Sequence, residues 1–193
     1  MKRFDRSKFS RAGKRSGSGH GLTILYIGDG KGKTTAAMGL ALRAHGAGLR
    51  VAVLQLMKSP TWQSYERTAL AKLGIRVRVL GSGFVGILDD RHPVSWHRRS
   101  AKTALAKVRA AVGSGRYDVV IADEAVTAVE EGLLGVRDIL GLIRAKPARV
   151  HLVLTGHTHY PSIIRACDLV TDMRMIKHPY KDQGLLAQRG IDF

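Results

Sequence analysis

Tyr26-Ile27-Gly28-Asp29-Gly30-Lys31-Gly32-Lys33-Thr34-Thr35 is the stretch that decides the fold of this 193-residue chain. The apolar run from Leu22 to Ile27 reads as a buried strand. The alanine-rich Ala36-Ala37-Met38-Gly39-Leu40-Ala41-Leu42 that follows reads as a helix. Strand, glycine-rich turn and helix in that order make the phosphate cradle of P-loop proteins. Glycines let backbone N–H groups converge on phosphate oxygens, and the helix N-terminus adds partial positive charge. On this reading Gly28, Asp29, Gly30, Lys31, Gly32 and Thr35 belong to the nucleotide-binding loop. Lys33 reaches the phosphates as the catalytic cation, and Thr34 offers its hydroxyl to Mg²⁺. One position departs from the pattern: Ile27 stands where G-x-x-x-x-G-K-[ST] has its first glycine. The loop is better written G-D-G-K-G-K-T-T, with an added cation at Lys31.

Downstream, Tyr117-Asp118-Val119-Val120-Ile121-Ala122-Asp123-Glu124 is an apolar strand that ends in two carboxylates. In P-loop proteins a carboxylate at such a strand end helps hold magnesium, which makes Asp123 and Glu124 candidate metal ligands beside Thr34. Alone, the pattern fits helix-capping acids equally well. The upstream loop favours the metal reading.

Between and after these two landmarks, short apolar strands alternate with helices. Strands are expected at 50–56, 75–80, 119–122, 150–155 and 169–176, and helices at 65–73, 98–112, 136–145 and 162–166. The stretch 81–97, with three glycines and Pro93, reads as a long loop, a length that in a compact domain is usually functional or disordered. Such alternation predicts an α/β, three-layer P-loop fold whose mostly parallel, about six-stranded sheet is flanked by helices. Ligands then bind beyond the carboxyl ends of the strands. That edge carries the phosphate loop, the segment after Gln55, the Gly81 loop, Asp123-Glu124 and Gly156-His157.

Charge is the unusual bulk property, with 32 Lys+Arg against 15 Asp+Glu and a net +17. Part of it lies in residues 1–21, which we read as a flexible basic arm ahead of one domain spanning 22–193, because so few apolar residues cannot order a segment. The arm admits four roles: nucleic-acid attraction, steering of an anionic partner, organelle targeting, or a solvated tail. The single cysteine, Cys167, excludes an internal disulfide and reads as a small core residue. No run approaches the roughly 18 apolar residues needed to span a bilayer, and no secretory segment is visible, so a cytoplasmic protein is expected.

Together the segments resemble the P-loop ATP:corrinoid adenosyltransferases, which act on cob(I)yrinic acid a,c-diamide or cobalamin. The matching pieces run from Tyr26 and the phosphate loop through Gly39-Leu40-Ala41-Leu42-Arg43-Ala44, Gln55 with Lys58, and Trp62 with Glu66. They continue with Gly81-Ser82-Gly83-Phe84, Asp123-Glu124 and Leu154-Thr155-Gly156. The most specific pieces are last: 166–173, Ile176-Lys177-His178-Pro179-Tyr180, and Ala187-Gln188-Arg189-Gly190-Ile191 with Phe193. The resemblance implies attack of reduced cobalt on the 5′ carbon of ATP and loss of the whole triphosphate. It also implies a nucleotide lying reversed in the loop, a homodimer, and a flavoprotein as reductant. A leaving group of such charge needs cations and oriented N–H donors. Lys31, Lys33, the loop backbone, and Mg²⁺ on Thr34 and Glu124 would provide them, with Lys58 and His157 completing the nucleotide-binding set. Phe84 matches a catalytic apolar side chain that strips the cobalt of its lower ligand.

Three departures fall toward the corrinoid side. Gly86 stands where the family often has Trp, and Trp96 is a candidate replacement. His157 stands where Thr-Gly-Arg is usual, exchanging a bidentate phosphate clamp for a group mostly neutral at pH 7. Ala125-Val126-Thr127 replaces a stretch in which Asn is common. Two alternatives follow: a corrinoid- and ATP-binding paralog with lost or altered catalysis, and, from the net charge, a nucleic-acid-associated P-loop ATPase. Gly28 counts against the partition type of such ATPases, which carry lysine there. His157 and His159 lack a third ligand for a metal site, and His178 before Pro179 reads as structural or corrinoid-facing.

Overall fold

The computed structural model describes residues 19–61, 63–81, 83 and 92–192. Six strands form one sheet: β1 (Thr23–Ile27), β2 (Val51–Gln55), β3 (Val77–Val79), β4 (Val119–Asp123), β5 (His151–Thr155) and β6 (Leu169–Asp172). Their order is β3-β2-β4-β5-β1-β6, and every described pairing is parallel rather than mostly so. Among the described residues seven helices accompany them: α1 (Lys33–Gly46), α2 (Tyr65–Lys72), α3 (Val94–Gly113), α4 (Thr127–Glu130), α5 (Val136–Arg144), α6 (Pro161–Arg165) and α7 (Pro179–Gln183).

Side chains alternate across a strand, so each strand feeds two cores. Ile24, Val53, Ile121 and Val153 pack with Ala37, Met38, Ala41 and Ala44 of α1 and Leu70 of α2. Their neighbours Leu25, Leu54, Val120, Ala122, Leu152 and Leu154 face the other way. There they meet Ala104, Leu105 and Val108 of α3, Ile139 and Leu142 of α5, and Ile163 of α6. Apolar residues on both faces explain why the strands read as continuous apolar runs.

Two expectations on element limits are corrected, and two helices are added. The 81–97 loop ends early, because α3 starts at Val94 rather than Arg98. Buried His97 is the first member of the inner stripe that continues through Ala101, Ala104, Leu105 and Val108; a histidine at its head hid the helical period. The last strand stops at Asp172, where the chain leaves β1 to fold over the phosphate loop. Two short helices, α4 and α7, were not anticipated, being too short to show a period. Residues 1–18 of the basic arm lie outside the described residues.

Candidate functional site

Strand register assembles the site. Gln55 is level with Asp123, and Ala122 with Leu154, so Gln55, Asp123 and Thr155 stand side by side at the carboxyl edge. Each lies two residues beyond an apolar residue of the α1 face, namely Val53, Ile121 and Val153. All three therefore point toward the start of α1, where Thr34 sits. The Thr34 hydroxyl donates to Asp123 Oδ1 at 3.1 Å. Gln55 Nε2 donates to Asp123 Oδ2 at 3.0 Å, and the Thr155 hydroxyl donates to Oδ1 at 2.8 Å. Asp123 has no exposed surface, and these three donors are what allow a carboxylate to stay there.

Glu124 breaks the alternation. Its φ of 62° is the one left-handed non-glycine backbone among the described residues, and its N–H is held by the Thr155 hydroxyl at 2.7 Å. Glu124 Oε2 is buried with no hydrogen-bond partner. Burial, and then the neighbouring Asp123 charge, push its carboxyl up to about 7, while Lys58 and Lys33 pull the other way. A strained, orphaned carboxylate beside a threonine hydroxyl suits a hard cation that prefers oxygen ligands. The residues present therefore fit Mg²⁺. Thr34 and Glu124 have oxygens to give, whereas Asp123 already accepts from three donors and braces Thr34.

The phosphate loop is shaped from the opposite side by the segments after β5 and β6. Gly28 N–H donates to the His157 carbonyl at 3.0 Å and Gly30 N–H to the Met173 carbonyl at 2.7 Å. Asp29 Oδ1 accepts Met175 N–H at 3.0 Å, which is the first reason its carboxyl sits below the usual range. A Cβ on Gly28 would lie 2.5 Å from both Asp172 Oδ1 and the Met173 carbonyl, so this approach requires glycine. Lys33 folds back on the loop, donating to the carbonyls of Gly28 (2.6 Å) and Gly30 (2.7 Å). Burial lowers its pKa against the raising influence of Asp29 and other nearby carboxylates. Helix α1 has no side-chain cap and no acid in its first turn. Its leading N–H groups are thus left for an anion.

A cleft of about 510 Å³ opens over this loop. Of the expected nucleotide-binding residues, Asp29, Gly30, Lys31, Gly32, Lys33, Thr34, Thr35, Lys58 and His157 all line it. Lys58 Nζ stands 3.9 Å from Glu66 and 4.0 Å from Asp123. His157 Nδ1 is 3.5 Å from both Glu130 Oε2 and the Thr127 hydroxyl. His159 Nε2 turns instead to Asp172 at 3.3 Å, so the two imidazoles have different partners. His178 lines the cleft and caps α7, its Nδ1 accepting Tyr180 N–H at 3.2 Å. Trp96 stacks on His92 at 3.9 Å and is not among the residues lining the cleft. Cys167 packs against the core, and burial pushes its thiol up to about 11. Phe84, Gly86 and Trp62 lie outside the described residues.

Some lining residues escaped sequence reasoning. Tyr65 comes from α2, and Gly190, Ile191 and Asp192 come from the far end of the chain, with Asp192 ion-paired to Lys31. Gln55 and Thr155 had a readable signal, since each follows by two an apolar strand residue at the ligand edge. Nothing local marks Asp192.

Comparison with known proteins agrees with this geometry. The family described as ATP:corrinoid adenosyltransferase BtuR/CobO/CobP matches residues 19–193. The chain is 32% identical over 180 residues to the corrinoid adenosyltransferase CobA of Salmonella typhimurium, covering 90% of this chain and 86% of that protein. It is 31% identical over 173 residues to the corrinoid adenosyltransferase of Escherichia coli K12, with the same coverage. The Pseudomonas aeruginosa corrinoid adenosyltransferase is 33% identical over 175 residues, covering 90% and 84%.

Proposed function

The chain belongs to the ATP:corrinoid adenosyltransferase family, enzymes that move the 5′-deoxyadenosyl group of ATP to a reduced corrinoid, and we propose that it does so in the cleft over its phosphate loop. Reduced cobalt gives an electron pair to C5′ of ATP, a cobalt–carbon bond forms, and the C5′–O bond breaks with its pair leaving on the triphosphate. The observation that carries this reading is the Thr34–Asp123 hydrogen bond, with unpartnered Glu124 beside it. It joins the phosphate loop to the carboxylate strand, although β5 lies between them in the sheet.

Within that cleft Lys33 would leave the carbonyls of Gly28 and Gly30 for the phosphates. Lys31, Lys58 and, when protonated, His157 would add positive charge around the leaving group. Mg²⁺ held by Thr34 and Glu124 would neutralise part of the triphosphate charge as it departs. Phe84 is the residue we assign to the lower face of the corrinoid. With Gly86 two positions on in the sequence, where the family often has Trp, a corrinoid lacking the tethered base should be favoured over cobalamin.

The chemistry supports a cytoplasmic enzyme of corrinoid biosynthesis, since ATP and a cobalt(I) nucleophile need a reducing, ATP-supplied compartment, with a flavoprotein as reductant. Among the described residues no helix is long and apolar enough to cross a membrane. A homodimer is supported by β6, which ends the sheet with all four residues exposed, Leu169 and Val170 among them. Anaerobic incubation with ATP, Mg²⁺ and cob(I)yrinic acid a,c-diamide or cob(I)alamin tests the function. Loss of the cobalt(I) spectrum together with release of triphosphate is expected. Release of ADP and phosphate in place of triphosphate would instead favour the ATPase alternative.

A further inference from the structure

We infer that the C-terminal tail is a working wall of the nucleotide cleft, in which Asp192 is the counter-ion that Lys31 exchanges for the departing triphosphate. This rests on the reading that the triphosphate occupies the phosphate loop.

Three sets of contacts build the wall. Asp192 Oδ1 accepts from Lys31 Nζ in an ion pair. Its other oxygen accepts Gln188 N–H at 2.8 Å, while Asp192 N–H donates to the Gln188 carbonyl at 2.8 Å. The last residues are thereby closed into a turn that aims the carboxylate at the loop. On the other side of the cleft, the Arg189 guanidinium lies 5.0 Å from the ring centre of Tyr65 on α2. The tail thus joins α2 to the phosphate loop, and Gly190, Ile191 and Asp192 line the cleft together with Lys33 and Lys58.

These attachments are polar and superficial. Ile191 is 81% exposed and Leu186 76% exposed, so neither of these two apolar side chains anchors the tail. A contact of this kind opens readily, because surface ion pairs are individually weak. Lys31 cannot serve a polyphosphate while a carboxylate sits on its ammonium, since like charges at that range repel. ATP and triphosphate meet the same competition, but breaking the C5′–O bond leaves triphosphate one more negative charge than the chain carried within ATP, so the Asp192 carboxylate repels the detached product more strongly. Asp192 therefore weakens product more than substrate and shortens the residence of triphosphate after transfer.

Titration calorimetry with inorganic triphosphate and with ATP, on native protein and on Asp192→Asn, decides it. The asparagine keeps an acceptor for Gln188 N–H and removes only the charge. Triphosphate should bind the variant at least about tenfold more tightly, ATP should gain less, and inhibition by triphosphate during turnover should deepen. The ratio between variant and native protein should fall toward one as salt rises, because the effect is a charge repulsion near the surface. Triphosphate binding that depends on Lys33 but is unchanged in Asp192→Asn would overturn the role of the tail alone. Triphosphate binding indifferent to Lys33→Ala would overturn the phosphate-loop reading and this inference with it.

Discussion

The hydroxyl of Thr155 accepts the backbone N–H of Glu124 at 2.7 Å, and the same oxygen donates to Asp123 at 2.8 Å. One side chain thus fixes both carboxylates at the end of β4 and holds Glu124 in its left-handed conformation. Thr155→Val keeps the shape and removes both bonds, leaving Asp123 one donor short. A loss of about 1–3 kcal/mol in stability is expected, by analogy with other unsatisfied buried groups, together with a larger fall in magnesium-dependent turnover. Thr155→Ser should restore both. Denaturant unfolding and turnover at varied Mg²⁺ test this, and a fully active valine variant would remove Thr155 from the site.

Glu124 should make the metal-free protein less stable as pH rises. Its carboxyl titrates near 7 when folded and near 4.5 when unfolded, because the folded state buries the charge. Between those values the folded chain holds a proton that the unfolded chain has lost. Stability is then full below about pH 4.5, falls as pH climbs through 7, and stays reduced above it, by up to about 3 kcal/mol. Glu124→Gln should melt several degrees above the native protein at pH 8 in EDTA, and match it at pH 4.5. The same variant should lose most magnesium-dependent turnover. A glutamine variant no more stable than native at pH 8 would mean that the carboxyl is solvated.

Three glycines of the phosphate loop and α1 should respond to alanine for three different reasons. At Gly30 the new Cβ would sit 2.6 Å from the Met173 carbonyl, so the loop must shift, at a cost of about 1–3 kcal/mol. At Gly32 the nearest neighbour is Met173 Sδ at 3.5 Å, but φ is 112°, and backbone strain of order 1 kcal/mol is expected. At Gly39, exposed within α1 and with nothing within 4 Å, alanine should stabilise by about 0.5–1 kcal/mol. Chemical denaturation ranks the three, and only Gly30→Ala and Gly32→Ala should weaken ATP binding.

The sequence by itself determined the phosphate loop, the carboxylate pair and the alternation of strands with helices. Each is written in contiguous residues, as a glycine pattern or an apolar run ending in acids. From these the α/β class was readable, and the nucleotide-binding roles proposed for 28–35 rest on the same contiguous pattern. The grouping of Gln55, Asp123 and Thr155 needed strand register, because residues 68 and 32 positions apart meet only once β2, β4 and β5 are aligned. The same holds for the inward turn of Glu124, where a buried neighbour rather than local propensity sets a left-handed backbone. Asp192 is the extreme case. It is 161 residues from Lys31, and only the return of the chain over the phosphate loop after β6 brings the two charges together.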